Sequence, residues 1–210
     1  MHIDFSDPLD RGLSTRTFSP PAEDMKPVKK RKWQIGVMGS AADLNYAPEL
    51  EKRAFEVGAE IARQGHITVY GAEKDYDSLS TAASRGAKSV GGLTVGVTHG
   101  KGKDVWDKEG NTDVLVVTGL ERGGGREFVL VNSCDAIIII AGGSGTLTEA
   151  AIAYQMNIPI VALYGSGGWA DMLAGKFLDA RERVRVEITQ SPIEAVKKAL
   201  SILGISTSRS

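Results

Sequence analysis

The chain has 210 residues, 42% of them hydrophobic, and its 25 Lys and Arg nearly balance 26 Asp and Glu. That length supports one full-sized core, and the charge balance excludes an overall field drawing the protein to nucleic acid or an anionic membrane, so any anion site must be local. No run reaches the roughly 18 apolar residues of a membrane span, the N-terminus shows no apolar signal-peptide core, and a single cysteine, Cys134, excludes an internal disulfide framework; a cytoplasmic protein is expected.

Residues 1–31 hold Pro8, Pro20, Pro21 and Pro27 among polar residues and lead into the basic run Lys29-Lys30-Arg31-Lys32. They read as a flexible extension, and the basic run as a solvated lead-in rather than a nucleic-acid contact. One domain over 32–205 and a short tail over 206–210 follow. Trp33–Met38 is the first predicted strand, with Gly39-Ser40-Ala41-Ala42 as its turn. Pro48 opens a helix to Gln64 whose apolar stripe is Leu50, Ala54, Val57 and Ile61, closed by Gly65. A second strand, Ile67–Tyr70, ends in Gly71 and a polar loop to Asp77; a helix of small residues spans 78–89, and Gly91-Gly92 leads to a third strand, Leu93–Thr98. Residues 99–112 form a polar excursion at the sheet's edge or rim. His99 follows a strand at the end where open α/β sheets bind ligands, but a lone histidine there reads as a loop residue and receives no role.

The fourth strand is Asp113–Val117, and Thr118–Gly125 (TGLERGGG) is a second glycine-rich turn. The following helix, 126–133, opens on Arg126, where the helix dipole disfavours a cation. A structural arginine belongs elsewhere, whereas a planar guanidinium suits two phosphate oxygens, so ligand contact is the preferred reading, with Arg122 a neighbour.

The centre of the chain is Asp135–Tyr154, DAIIIIAGGSGTLTEAAIAY. Ile137–Ile140 suit a strand buried on both faces. Gly142, Gly143 and Gly145 permit a sharp turn and close approach before a helix starting near Thr146 or Leu147. Strand, glycine turn and helix in succession gather free N–H groups and a positive dipole end, which favours anions. Thr146 and Glu149 also fit a Ser/Thr-x-x-Glu capping box, which explains two side chains but not three glycines. Cys134, just before the strand, is read as a core residue. A strand at Ile160–Leu163 ends in a third small-residue turn, Tyr164–Gly168; a helix over 169–179, an edge strand over 184–188 and a closing helix from Ser191-Pro192 to Leu203 complete the pattern. Seven strands alternating with helices predict a doubly wound, mostly parallel sheet with helices on both faces, its glycine turns at 39, 123–125, 142–145 and 165–168 meeting at one edge.

The segments GVMGS, SRGAKSVGGLTVGV, GGGREFVLVNSCDAIIIIAGGSGTLTEAAIAY and IPIVAL, in that order, resemble the Lonely Guy (LOG) or "lysine decarboxylase-like" family over about 33–200, closest to the branch that includes molybdenum cofactor carrier proteins. The resemblance implies a Rossmann-like fold, self-association as a homodimer or homotetramer, and a pocket for a nucleotide or nucleotide-like phosphate. No pyridoxal-phosphate lysine motif is present, so lysine decarboxylation is not expected. By position, Arg126 and Glu149 are the implied catalytic pair of a nucleoside 5′-monophosphate phosphoribohydrolase. The phosphate side is Gly142, Gly143, Ser144, Gly145 and Thr146, with Gly39, Ser40, Gly71, Thr118, Gly124 and Gly125 around it. No metal ligand and no cofactor for hydrolysis are implied. The alternative is a non-catalytic carrier of a pterin phosphate such as molybdenum cofactor. Three positions depart from the family pattern: Ala141 stands where a proline is usual, Glu127 replaces a lysine beside the arginine, and the second strand runs into Gly71-Ala-Glu-Lys-Asp-Tyr-Asp77 instead of a run of glycines.

Overall fold

The computed structural model describes residues 31–121 and 123–204; the expected extension, apart from Arg31, lies outside the described residues, as do Arg122 and the tail. Seven strands form one sheet: β1 (Gln34–Gly39), β2 (Ile67–Ala72), β3 (Leu93–Thr98), β4 (Val114–Val117), β5 (Ala136–Ile140), β6 (Ile160–Leu163) and β7 (Glu187–Thr189). Every pairing is parallel, in the order β4-β3-β2-β1-β5-β6-β7. The connecting helices are α1 (Pro48–Arg63), α2 (Leu79–Ser89), α3 (Arg126–Asn132), α4 (Ser144–Gln155), α5 (Gly168–Leu173) and α6 (Pro192–Ile202). None of the described helices is long and apolar enough to cross a membrane.

β5 shows why the sheet is covered on both faces. Its side chains alternate, so Ala136, Ile138 and Ile140 pack with Val57 and Ile61 of α1 and with Val196 and Leu200 of α6. Ile137 and Ile139 face Leu130 of α3 and Ile152 and Tyr154 of α4. A strand in that position has no polar face to offer, hence the uninterrupted isoleucines. Cys134 joins the second of these cores, and burial pushes its thiol up from the ordinary range, in keeping with a core role.

The chain leaves β1 toward β2, β3 and β4, then returns to β5 on the other side and continues to β6 and β7. The strand order therefore reverses between β1 and β5, and a crevice opens beyond their carboxyl ends, the usual ligand position in such sheets.

Most expected elements form, with differences that have local causes. α4 begins at Ser144, two residues early, with Gly143 as its N-cap and no side-chain capping bond, so the Thr146–Glu149 capping box does not form. By contrast, the Ser191 hydroxyl accepts from the Glu194 N–H and caps α6, with Pro192 in its first turn. β2 runs through Gly71 and Ala72 because both continue the pairing with β3. α5 stops at Leu173 and β7 starts only at Glu187. Between them the backbone closes a loop through Gly175 N–H to Val186 O and Val186 N–H to Lys176 O, which takes donors that a longer helix would use.

Candidate functional site

The turn after β5 is held in place from beneath. Ala141 donates its N–H to Ser166 Oγ at 2.7 Å, and Gly142 donates to Ser40 Oγ at 2.9 Å. Gly142 has φ +97°, and a Cβ there would lie 2.4 Å from the Thr146 side chain, so glycine is required on both counts. Ala141 has φ +50°, which proline cannot adopt, and its N–H is in use, so this turn has no room for a proline at that position. The turn at 165–168, expected in the crevice, instead buttresses this loop: Trp169 and Ala170 donate to the carbonyls of Gly142 and Ala141.

Above this support the α4 N-terminus is open. Its first hydrogen bond is Leu147 N–H to Gly143 O at 3.1 Å, and the N–H groups of Ser144, Gly145 and Thr146 meet no acceptor among the described residues. Gly145 is informative. It sits inside the helix without a positive φ, and a Cβ there would meet nothing within 4 Å. Alanine would favour the helix by up to about 1 kcal/mol, so the protein's own packing gives no reason for glycine.

These donors line a pocket of about 350 Å³. Of the residues expected at the site, the fold brings Gly39, Ser40, Arg126, Gly143, Ser144, Gly145, Thr146 and Glu149 to its wall. Gly71, Thr118, Gly124, Gly125 and Gly142 stand outside the lining and act on the structure. Gly71 leaves room for Arg126 Nη1, which a Cβ would approach to 2.2 Å. Gly125, at φ +113°, is the N-cap of α3, and Gly124 donates to Glu121 O. The Thr118 hydroxyl donates to Thr98 O and accepts from Leu120 N–H, shaping the turn after edge strand β4.

The opposite wall carries charge. Arg126, only 5% exposed, donates from Nη2 to Glu73 Oε1 at 2.8 Å, and its Nε lies 3.8 Å from Glu127 Oε1. Its Nε and Nη1 are buried without a hydrogen-bond partner. The other Glu73 oxygen lies 3.4 Å from His99 Nε2, and the Glu73 carbonyl accepts from Trp106 N–H, so the 99–112 excursion folds back over the β2 loop. Glu73 and Glu127, noted in sequence only as acidic departures, both line the pocket, and His99 stands behind Glu73. Position just after β2 and β3 is the signal for Glu73 and His99, and adjacency to Arg126 is that for Glu127; the convergence of Glu73 on Arg126 needs the fold. Glu149 is 8% exposed, and burial pushes its carboxyl up to about 8; Arg126 opposes the shift while Glu127 and Glu73 reinforce it.

Over residues 32–196 the sequence matches the SLOG cluster4 family. The chain belongs to that family. This SLOG cluster4 protein is similar to the cytokinin riboside 5′-monophosphate phosphoribohydrolase of Mycobacterium tuberculosis, 33% identical over 119 residues that cover 56% of this chain and 59% of that one. Among solved structures, it is similar to the molybdenum cofactor carrier protein of Chlamydomonas reinhardtii, with a TM-score of 0.69 at 28% identity over 83% of this chain and 100% of that one. It is also similar to the molybdenum cofactor binding protein of Rippkaea orientalis, with a TM-score of 0.65 at 30% identity over 83% of this chain and 99% of that one. The SLOG cluster4 fold thus has relatives in both a hydrolase and a set of carriers.

Proposed function

We propose that the crevice binds a nucleotide-like ligand through one phosphate at the start of α4, and that Arg126 and Glu149 make the protein a phosphoribohydrolase of nucleoside 5′-monophosphates. The observation that carries the reaction is Glu149: a carboxyl raised to about 8 keeps its proton at neutral pH, within the same pocket as the open N–H groups. The C1′–N bond breaks with its electron pair going to the base, whose nitrogen takes the Glu149 proton. Water adds to C1′ and returns a proton to the Glu149 carboxylate, releasing base and ribose 5-phosphate. Arg126 orients the sugar, and the Glu127 and Glu73 carboxylates stabilise positive charge developing on the ribose. A homodimer or homotetramer is the expected working form, which sedimentation velocity resolves.

A second reading, a carrier that holds a pterin phosphate such as molybdenum cofactor without turnover, is favoured by one feature. Arg126 is already engaged by Glu73, and a tied arginine suits retention better than a moving reaction coordinate. Incubation of the pure protein with adenosine, guanosine and cytidine monophosphates decides between the two. The hydrolase predicts ribose 5-phosphate in amounts that fall at least about a hundredfold in Glu149→Ala. Tight binding of a pterin phosphate with every glycosidic bond intact identifies the carrier. Turnover unchanged by Glu149→Ala contradicts the assigned mechanism.

A further inference from the structure

Among the described residues Arg126 is the one cation lining the pocket, and Glu73, Glu127 and Glu149 stand around it. One guanidinium nitrogen, Nη2, is therefore taken by Glu73, while Nε and Nη1 are buried without a hydrogen-bond partner. Glu73 is no loosely placed surface acid: its side chain is 12% exposed, one oxygen takes a hydrogen bond from Arg126, the other lies against His99, and its backbone carbonyl is pinned by Trp106 N–H. A carboxylate held this firmly against the pocket's cation occupies the place that an anionic group of a ligand would take. The α4 end of the pocket keeps its donors open and has no side-chain charge of its own at Ser144, Gly145 and Thr146. The two ends thus differ in sign.

We propose that Glu73 is the residue that sets the specificity of the crevice: it stands in for an anion at Arg126, so the pocket accepts a ligand with one phosphate, at α4, and rejects a second anionic group on the sugar, favouring hydroxyl or amino donors at that end. This rests on the reading of the α4 start as the phosphate end.

The experiment compares adenosine 5′-monophosphate with adenosine 3′,5′-bisphosphate by calorimetric titration on the full chain and on Glu73→Gln and Glu73→Asp, each checked for cooperative thermal unfolding. The wild type is expected to prefer the monophosphate about tenfold or more, a size set by a like charge a few ångströms away in a partly buried site. Glu73→Gln, nearly isosteric and neutral, is expected to gain on the bisphosphate until the ratio falls within about threefold, while Glu73→Asp, still anionic, keeps the preference. The ratio is the readout, because damage to the pocket's shape moves both ligands together. Monophosphate binding with an equal affinity for the bisphosphate, or a ratio unmoved by Glu73→Gln, overturns the role of Glu73 alone. Absence of binding by either nucleotide to all three proteins overturns the phosphate reading and this assignment together.

Discussion

The β5–α4 wall of the crevice offers backbone N–H groups from one short stretch of chain, whereas the facing wall offers the side chains of Glu73, from the end of β2, and of Arg126 and Glu127, from the start of α3, with His99 behind Glu73. The first wall is rigid because its loop is bonded from beneath by Ser40 and Ser166 and braced by α5. The second is an ion-pair network, in which one substitution leaves an unmatched charge. Backbone donors recognise an anion of any parentage; the charged network decides what else the ligand carries. The difference teaches that an open turn of backbone donors says less about the ligand than the second wall does.

The sharpest way to break this contrast is to disturb the loop that presents the backbone donors. Ala141→Pro removes the donor to buried Ser166 and forbids φ +50°, so a loss of about 3 kcal/mol or more is expected in urea unfolding, with ligand binding lost as well. Gly142→Ala drives a Cβ against Thr146 in a left-handed conformation and should cost about 2–3 kcal/mol by the same measurement.

The charged wall responds to pH instead. Below about 4.5 the Glu149 carboxyl is protonated in both folded and unfolded chains; from there to about 8 the unfolded chain releases a proton that the fold retains, so this group lowers stability as pH rises. Glu149→Gln is therefore expected to raise Tm by about 3 °C or more at pH 8 and by much less at pH 5, as thermal melts at the two pH values will show. If the proton serves the reaction, kcat/KM of the native protein declines as pH rises through about 8.

The smallest effect is the most selective. Gly145→Ala should stabilise α4 by up to about 1 kcal/mol while weakening phosphate binding, a combination that a purely structural turn does not produce. Chemical unfolding and calorimetric titration of the same sample read both.

Much of this was legible in the chain. β3 and β6 form where the sequence predicts them because Gly92 and Pro159 punctuate their starts, and the isoleucine run announces a strand covered on both faces. The apolar spacing of 169–188 predicts a longer α5 and β7 than form, since it does not reveal a loop closed by backbone bonds between Gly175, Lys176 and Val186. Thr146 and Glu149 matched a capping pattern, but Gly143 is the cap and the two side chains turn to the pocket. The glycines looked alike in sequence, and only their surroundings separate Gly142, required by packing, from Gly145, which packing does not require. Glu73 and His99 are far from Arg126 along the chain, and no local pattern records that Glu73 meets Arg126 with His99 behind it.

The most direct test of the central claim, that the open amides at the start of α4 receive the ligand's phosphate, is an amide NMR titration of the ¹⁵N-labelled protein with adenosine 5′-monophosphate and, separately, inorganic phosphate. Both ligands are expected to shift the Ser144, Gly145 and Thr146 resonances in a saturable way, with adenosine alone leaving them in place. Saturable shifts confined to other amides, with these three unmoved, would contradict it.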